Sequence, residues 1–180
     1  MKKIVVFLLL LVCVSQLSAQ DLPVDIKTGK VTYMEVVEAD GMSAKELYSV
    51  LKEWALANGL KIKEEKEAGG EIYFDGVLPM EYERIKGRNE ACKVNYEAYL
   101  MVKEGKYRYI FTDFVQVASE SSLTGGKLEN VTPDCGYSGI NSGNWNKIKH
   151  TTASTMEKLV YDLKKKVKEV QNDPLRNKDW

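Results

Sequence analysis

VTYMEVVEADGMSAKELYSVLKEWALANG, residues 31–59, decides the fold class. Val31 to Glu38 is rich in β-branched and aromatic residues and sets Val31, Tyr33 and Val37 on one side, the pattern of a strand with one buried face. Asp40-Gly41 stops the strand. Ser43 stands three residues before Glu46, which spells a capping box at a helix start. Leu47, Val50, Leu51, Trp54 and Ala55 then recur at steps of three and four as a single apolar stripe. Gly59, after Asn58, closes the helix because glycine takes the left-handed conformation of a C-terminal cap without steric cost. Strand, tight turn and capped helix follow with almost no residue to spare, which is the grammar of an α+β domain. Tyr48 and Trp54 lie on or beside the stripe, so they read as core packing rather than ligand stacking.

Upstream, Lys2 and Lys3 precede an apolar run from Ile4 to Leu17, and the small residues Ser18 and Ala19 follow. That layout is a secretory signal peptide, with cleavage expected after residue 19 and an apolar run too short for a stable membrane span. Cys13 follows Val12 deep in the run, so no lipid anchor is expected. The expected organisation is a signal peptide over 1–19, one α+β domain over 20–173 and a C-terminal tail over 174–180. The mature chain would be periplasmic or extracellular. About 160 residues suffice for a real core. The full chain has 26 basic and 26 acidic side chains; without Lys2 and Lys3 the balance is 24 against 26. A nucleic-acid binder would carry a basic surplus, so nucleic acid is not an expected partner.

Downstream of Gly59 the pattern turns to strands. Lys61 to Lys66 is short and charged, as suits a sheet edge. Glu71 to Leu78 is a further strand that Pro79 is expected to end, with Met80 to Glu90 read as a polar loop. Ala91 to Lys103 and Lys106 to Val117 form a long hairpin about Glu104-Gly105. Its register pairs Val102 with Tyr107, Leu100 with Tyr109, Ala98 with Phe111, Val94 with Val115 and Cys92 with Val117, a strongly apolar face assigned to the helix-covered core. Asp113 falls on that face opposite Tyr96, so either it is hydrogen-bonded there or a bulge moves it. The opposite face carries Tyr99, Met101, Ile110 and Phe114, more apolar area than a solvent face needs, and is the candidate binding or dimer face.

Residues 118–144 are rich in Ser, Gly, Asn and Thr and read as a long loop, functional or poorly ordered. Asn144 can cap a last helix whose stripe runs through Ile148, Thr152, Met156, Leu159, Leu163, Val167 and Val170, until Pro174 ends it. The resulting order is β-α-β-β-β-β-α. Cys92 and Cys135 survive signal cleavage and are a candidate disulfide; the bridge would close about 44 residues and contribute roughly 4 kcal/mol in the chain-entropy model.

LPVDIKTGKVTYMEVVEADGMSAKELYSVLKEW (22–54) and KEGKYRYIFTDF (103–114) resemble a family of secreted bacterial proteins known as domain of unknown function 4468, whose assigned fold is like one half of the TATA-binding protein. The resemblance implies a five-stranded antiparallel sheet with two helices on one face. It brings no activity and no catalytic residues, and a shared fold is not a shared function.

The chemistry is sparse. His150 is the single histidine and points away from the helix stripe, so no metal site is expected. Thr124-Gly-Gly-Lys127 lacks phosphate-loop spacing, and Gly136-Tyr-Ser-Gly139 is not a nucleophile elbow. No catalytic constellation and no cofactor are expected. Two readings stand: a non-enzymatic binding module for a protein, peptide or glycan, and a structural or self-associating envelope domain, with homodimerisation through the mixed sheet face. A hydrolase is a distant third.

Overall fold

The computed structural model describes residues 22–85 and 87–173. The expected signal peptide and C-terminal tail lie outside the described residues. The elements are β1 (Tyr33–Glu38), α1 (Ala44–Ala57), β2 (Lys61–Lys66), β3 (Glu71–Ile85), β4 (Arg88–Lys103), β5 (Lys106–Ala118), β6 (Gly126–Lys127), the helical turn α2 (Gly136–Gly139) and α3 (Ser142–Gln171). The strands form an antiparallel sheet in the order β1-β5-β4-β3-β2, with the two-residue β6 pairing Val115 and Gln116 of β5. Helices α1 and α3 pack on one face, which makes the chain α+β with the expected element order.

Local chemistry explains α1. Ser43 Oγ accepts from the Glu46 backbone N–H at 3.2 Å, and Glu46 Oε2 accepts from the Ser43 backbone N–H at 2.8 Å. The stripe Leu47, Val50, Leu51, Trp54 and Ala55 is buried as its spacing demands. Trp54 packs on Phe111 of β5 and donates its indole N–H to Asp162 of α3 at 3.0 Å, so one side chain joins both helices and the sheet.

Three expectations are corrected. The stretch from Met80 to Glu90 is not a loop: β3 runs on to Ile85 and β4 begins at Arg88. Pro79, paired with Lys93, does not end the strand. Beyond Asp75 β2 no longer accompanies β3, and among the described residues no other strand pairs that edge. A proline nitrogen on such an edge removes no ladder hydrogen bond. The second correction is the start of α3. Asn141, not Asn144, is its cap, and its side chain accepts from the Asn144 N–H at 2.9 Å.

The third concerns the hairpin. Val102 pairs Tyr107, Leu100 pairs Tyr109 and Ala98 pairs Phe111, as alternation dictates. Between Asn95 and Glu97 the register shifts, so Val94 meets Gln116 and Cys92 meets Ala118. β5 has one residue more than β4 here: a β-bulge. Asp113 occupies it with φ 56°, the one non-glycine residue with positive φ among those described. Asp tolerates that conformation better than most residues. The bulge resolves the conflict at this position by turning the carboxylate off the core face, where it forms an ion pair with Lys30 at 2.5 Å. It also turns Phe114 inward.

Residues 118–144 are not a slack loop. Leu123, Leu128 and Ile140 are buried, and the Gly125 N–H donates to the buried Gln116 Oε1. Trp145, 1 % exposed, donates its indole N–H to the Asn130 carbonyl at 3.1 Å. Lys149 donates to the same carbonyl at 2.6 Å, and burial lowers its pKa. Gly126 combines φ 73° with an approach so close that a Cβ would stand 1.8 Å from Asp134 Oδ2.

Candidate binding face

The side of the sheet away from the helices is built in rows, because facing residues of paired strands share a face. One row reads Met34, Ile110, Tyr99, Tyr73 and Glu64 across β1, β5, β4, β3 and β2. The next reads Val36, Arg108, Met101, Glu71 and Lys66. Met34 and Val36 are 48 % and 54 % exposed, whereas Tyr73, Tyr99, Met101 and Ile110 are half-buried by their own neighbours. Tyr73 and Tyr99 meet edge to face with ring centres 5.0 Å apart.

Charged groups fringe this patch and are mostly paired with one another. Lys63 reaches Glu97 at 2.5 Å and Asp75 at 3.7 Å. Lys66 reaches Glu64 at 3.4 Å and lies 5.0 Å from the centre of the Tyr73 ring. Tyr73 donates to Glu71 at 2.8 Å, and Tyr99 donates to Glu97. Lys63 and then Tyr99 hold the Glu97 carboxyl below its usual range, while the hydrogen bond to Glu97 and burial push the Tyr99 phenol up to about 12. The patch has the anatomy of a contact surface: flat, apolar and aromatic at its centre, polar at its rim.

Of the four residues expected on this face, Tyr99, Met101 and Ile110 are there and Phe114 is not. Phe114 is fully buried and stacks on Tyr96 with ring centres 5.5 Å apart at 18°. The bulge at Asp113 reverses the alternation beyond it. Residues the expectation omitted are Met34 and Val36 of β1 and Tyr73 of β3. Tyr73 shares strand parity with Glu71 and Asp75, a signal present in the sequence.

The expected Cys92–Cys135 bridge is not formed in this structure: both are free thiols. The bulge sets Cys92 opposite Ala118 instead of Val117. Cys92 is buried, which raises its thiol pKa, and Cys135 is half-buried on the rim of an open cleft of about 700 Å³ with Arg84, Asp134 and Ser138. Burial, with a smaller contribution from both thiols, pushes the nearby Tyr82 phenol up to about 12.

His150 is exposed on α3. Among the described residues no cluster of three or more His, Cys, Asp or Glu side chains is arranged to hold a metal ion. No helix among them is long and apolar enough to cross a membrane.

Residues 33–116 match the family described as domain of unknown function (DUF4468) with TBP-like fold. Two solved structures are similar over 82 % of this chain. One is a TBP-like protein from Parabacteroides distasonis, with 97 % of that chain covered, 17 % identity and a TM-score of 0.61. The other is a DUF4468 family protein from Bacteroides ovatus, with 91 % covered, 16 % identity and a TM-score of 0.58. At such identities the likeness is one of fold. No curated protein matches. Over residues 33–116 the chain is similar to the DUF4468 family, and it has the TBP-like fold.

Proposed function

We propose that this chain is a non-enzymatic binding module, exported and acting in the periplasm or outside the cell, which holds a protein, peptide or glycan on the helix-free face of its sheet. The observation that supports this reading is the contiguous patch of Met34, Val36, Ile110, Tyr99, Met101 and Tyr73 on a face that neither helix covers. Apolar patches of this kind on small soluble domains commonly mark contact surfaces. The test compares wild type with the double variant Tyr99→Ser, Ile110→Ser in a crosslinked pull-down from cell envelopes. Specific capture lost in the variant, with its melting curve unchanged, supports the reading; equal capture overturns it.

Self-association is the second reading, favoured by the exposed Met34 and Val36 on the edge strand β1. Light scattering during size exclusion separates the two: a dimer that the same double variant dissolves favours the structural role. Export rests on the layout of residues 1–19, and sequencing the N-terminus of the exported protein tests it. In an oxidising compartment Cys92 and Cys135 would be joined. Alkylation of both without reductant overturns that bridge, and labelling only after reduction supports it.

A further inference from the structure

The cations of the open face are not alike. Lys30, Lys63 and Lys66 each close an ion pair with a carboxylate. Lys103, Lys106 and Arg108, gathered where β4 turns into β5, form no ion pair among the described residues. Lys103 faces Lys106 across the hairpin, and Arg108 faces Met101. Glu38 faces Lys106 from β1 without closing to a salt bridge. The three cations line a cleft of about 400 Å³ whose apolar wall includes Val36, Met101 and Tyr107. The one carboxylate on its lining, Glu71, accepts from Tyr73.

Arg108 is the least satisfied of the three. Its Nε is buried and has no hydrogen-bond partner, and its Nη2 lies 2.7 Å from the sulfur of Met34, a weak acceptor. A guanidinium offers a rigid fork of donors that matches a carboxylate in bidentate geometry.

We infer that this corner of the sheet recognises an acidic peptide segment: Arg108, with Lys103 and Lys106, takes a carboxylate, and Val36 and Met101 take an apolar side chain beside it. The inference rests on the reading of the sheet face as a binding surface and names its partner class. An anionic membrane surface is the less favoured occupant. Three cations flanked by Glu38 and Glu71 offer little net attraction to a bilayer, which acts through clusters of unopposed basic residues.

The probe is a fluorescent hexapeptide of alternating glutamate and valine, compared with its lysine and valine counterpart by anisotropy. The glutamate peptide is expected to bind, to weaken with added salt, and to lose about tenfold or more in affinity to Arg108→Gln with an unchanged melting curve. Lys103→Gln with Lys106→Gln, at positions that are exposed, should weaken it further without unfolding risk. Equal affinity for both peptides, indifference to Arg108→Gln, or binding to phosphatidylglycerol vesicles without binding to the peptide would each overturn the inference. If the glutamate peptide fails while Tyr99→Ser, Ile110→Ser still abolishes envelope capture, the peptide class falls and the binding face stands.

Discussion

The β4–β5 hairpin has two halves that obey different rules. From the turn to the Glu97–Thr112 pair, odd and even residues alternate cleanly between core and open face. From Asp113 to Ala118 the alternation is inverted: Phe114 and Gln116 are buried, and Val115 and Val117 are half-exposed. A one-residue slip moves every following side chain to the other face. Here the slip is a built feature, since Asp113, Tyr96, Phe114 and Gly76 of β3 are fitted to one another around it. Gly76 faces Tyr96, and a Cβ at Gly76 would stand 2.1 Å from the Tyr96 ring. An aromatic ring therefore lies over a strand glycine on one side and stacks on Phe114 on the other. The lesson is that a bulge acts at a distance: it decides which side chains of β5 face the core and which face the open side of the sheet.

The largest expected effect breaks this contrast directly. Phe114→Ala should cost about 3–5 kcal/mol, comparable with Leu100→Ala in the regular half, whereas Ile110→Ser on the open face should cost less than about 1 kcal/mol. Denaturant midpoints at unchanged slope read the difference, and a mild Phe114→Ala would return that residue to the open face. Next comes Gly76→Ala. The methyl must displace Tyr96 from its stack, an overpacking expected to cost about 1–3 kcal/mol or more, read as a drop in melting temperature. A neutral outcome would show that the ring does not need the space glycine leaves.

Asp113 sharpens the contrast at smaller scale. Asp113→Val places a β-branched residue at positive φ and should cost about 1–2 kcal/mol. Asp113→Gly loses only a half-exposed ion pair to Lys30 and gains backbone ease, so its stability should stay within about 1 kcal/mol of wild type. Equal losses in both variants would assign the position to its carboxylate instead of its backbone. The smallest effect is electrostatic. Because the folded Glu97 carboxyl is held below its unfolded value near 4.3, its stabilisation is present above that value and is lost as pH falls through the folded pKa. With its partner Lys63 half-exposed, the loss should remain below about 1 kcal/mol. Glu97→Gln should remove this acid dependence and bring the Tyr99 phenol down from about 12, which ultraviolet titration detects.

The parts of the fold legible in the sequence were those fixed by local rules. The capping box at Ser43 and Glu46, the apolar stripe of α1 and the hairpin register near Gly105 each depend on residues a few positions apart. The open face was legible in its regular half, through Tyr99, Met101 and Ile110. Phe114 was not, because its side depends on where the bulge falls; the sole hint was an aspartate on an apolar face. Nor was the run of β3 past Pro79, which depends on how far β2 accompanies it. Residues 118–144 misled for a different reason. Their glycines and serines read as flexibility, yet Gly126 makes room for Asp134, and Trp145 and Lys149 tie down the Asn130 carbonyl.

The sheet order has a kinetic consequence. β2, β3, β4 and β5 join through short turns and can assemble as successive hairpins, but the strand that β1 pairs among the described residues lies roughly seventy-eight positions away, where Tyr33 meets Phe111. Such a non-local pairing costs loop-closure entropy before any contact repays it, and slows folding. A chain synthesised from its N-terminus makes β1 before the strand that will receive it. Until β5 exists, Met34, Val36 and Val37 stay in water, which makes β1 the stretch that a holding chaperone has longest to grip.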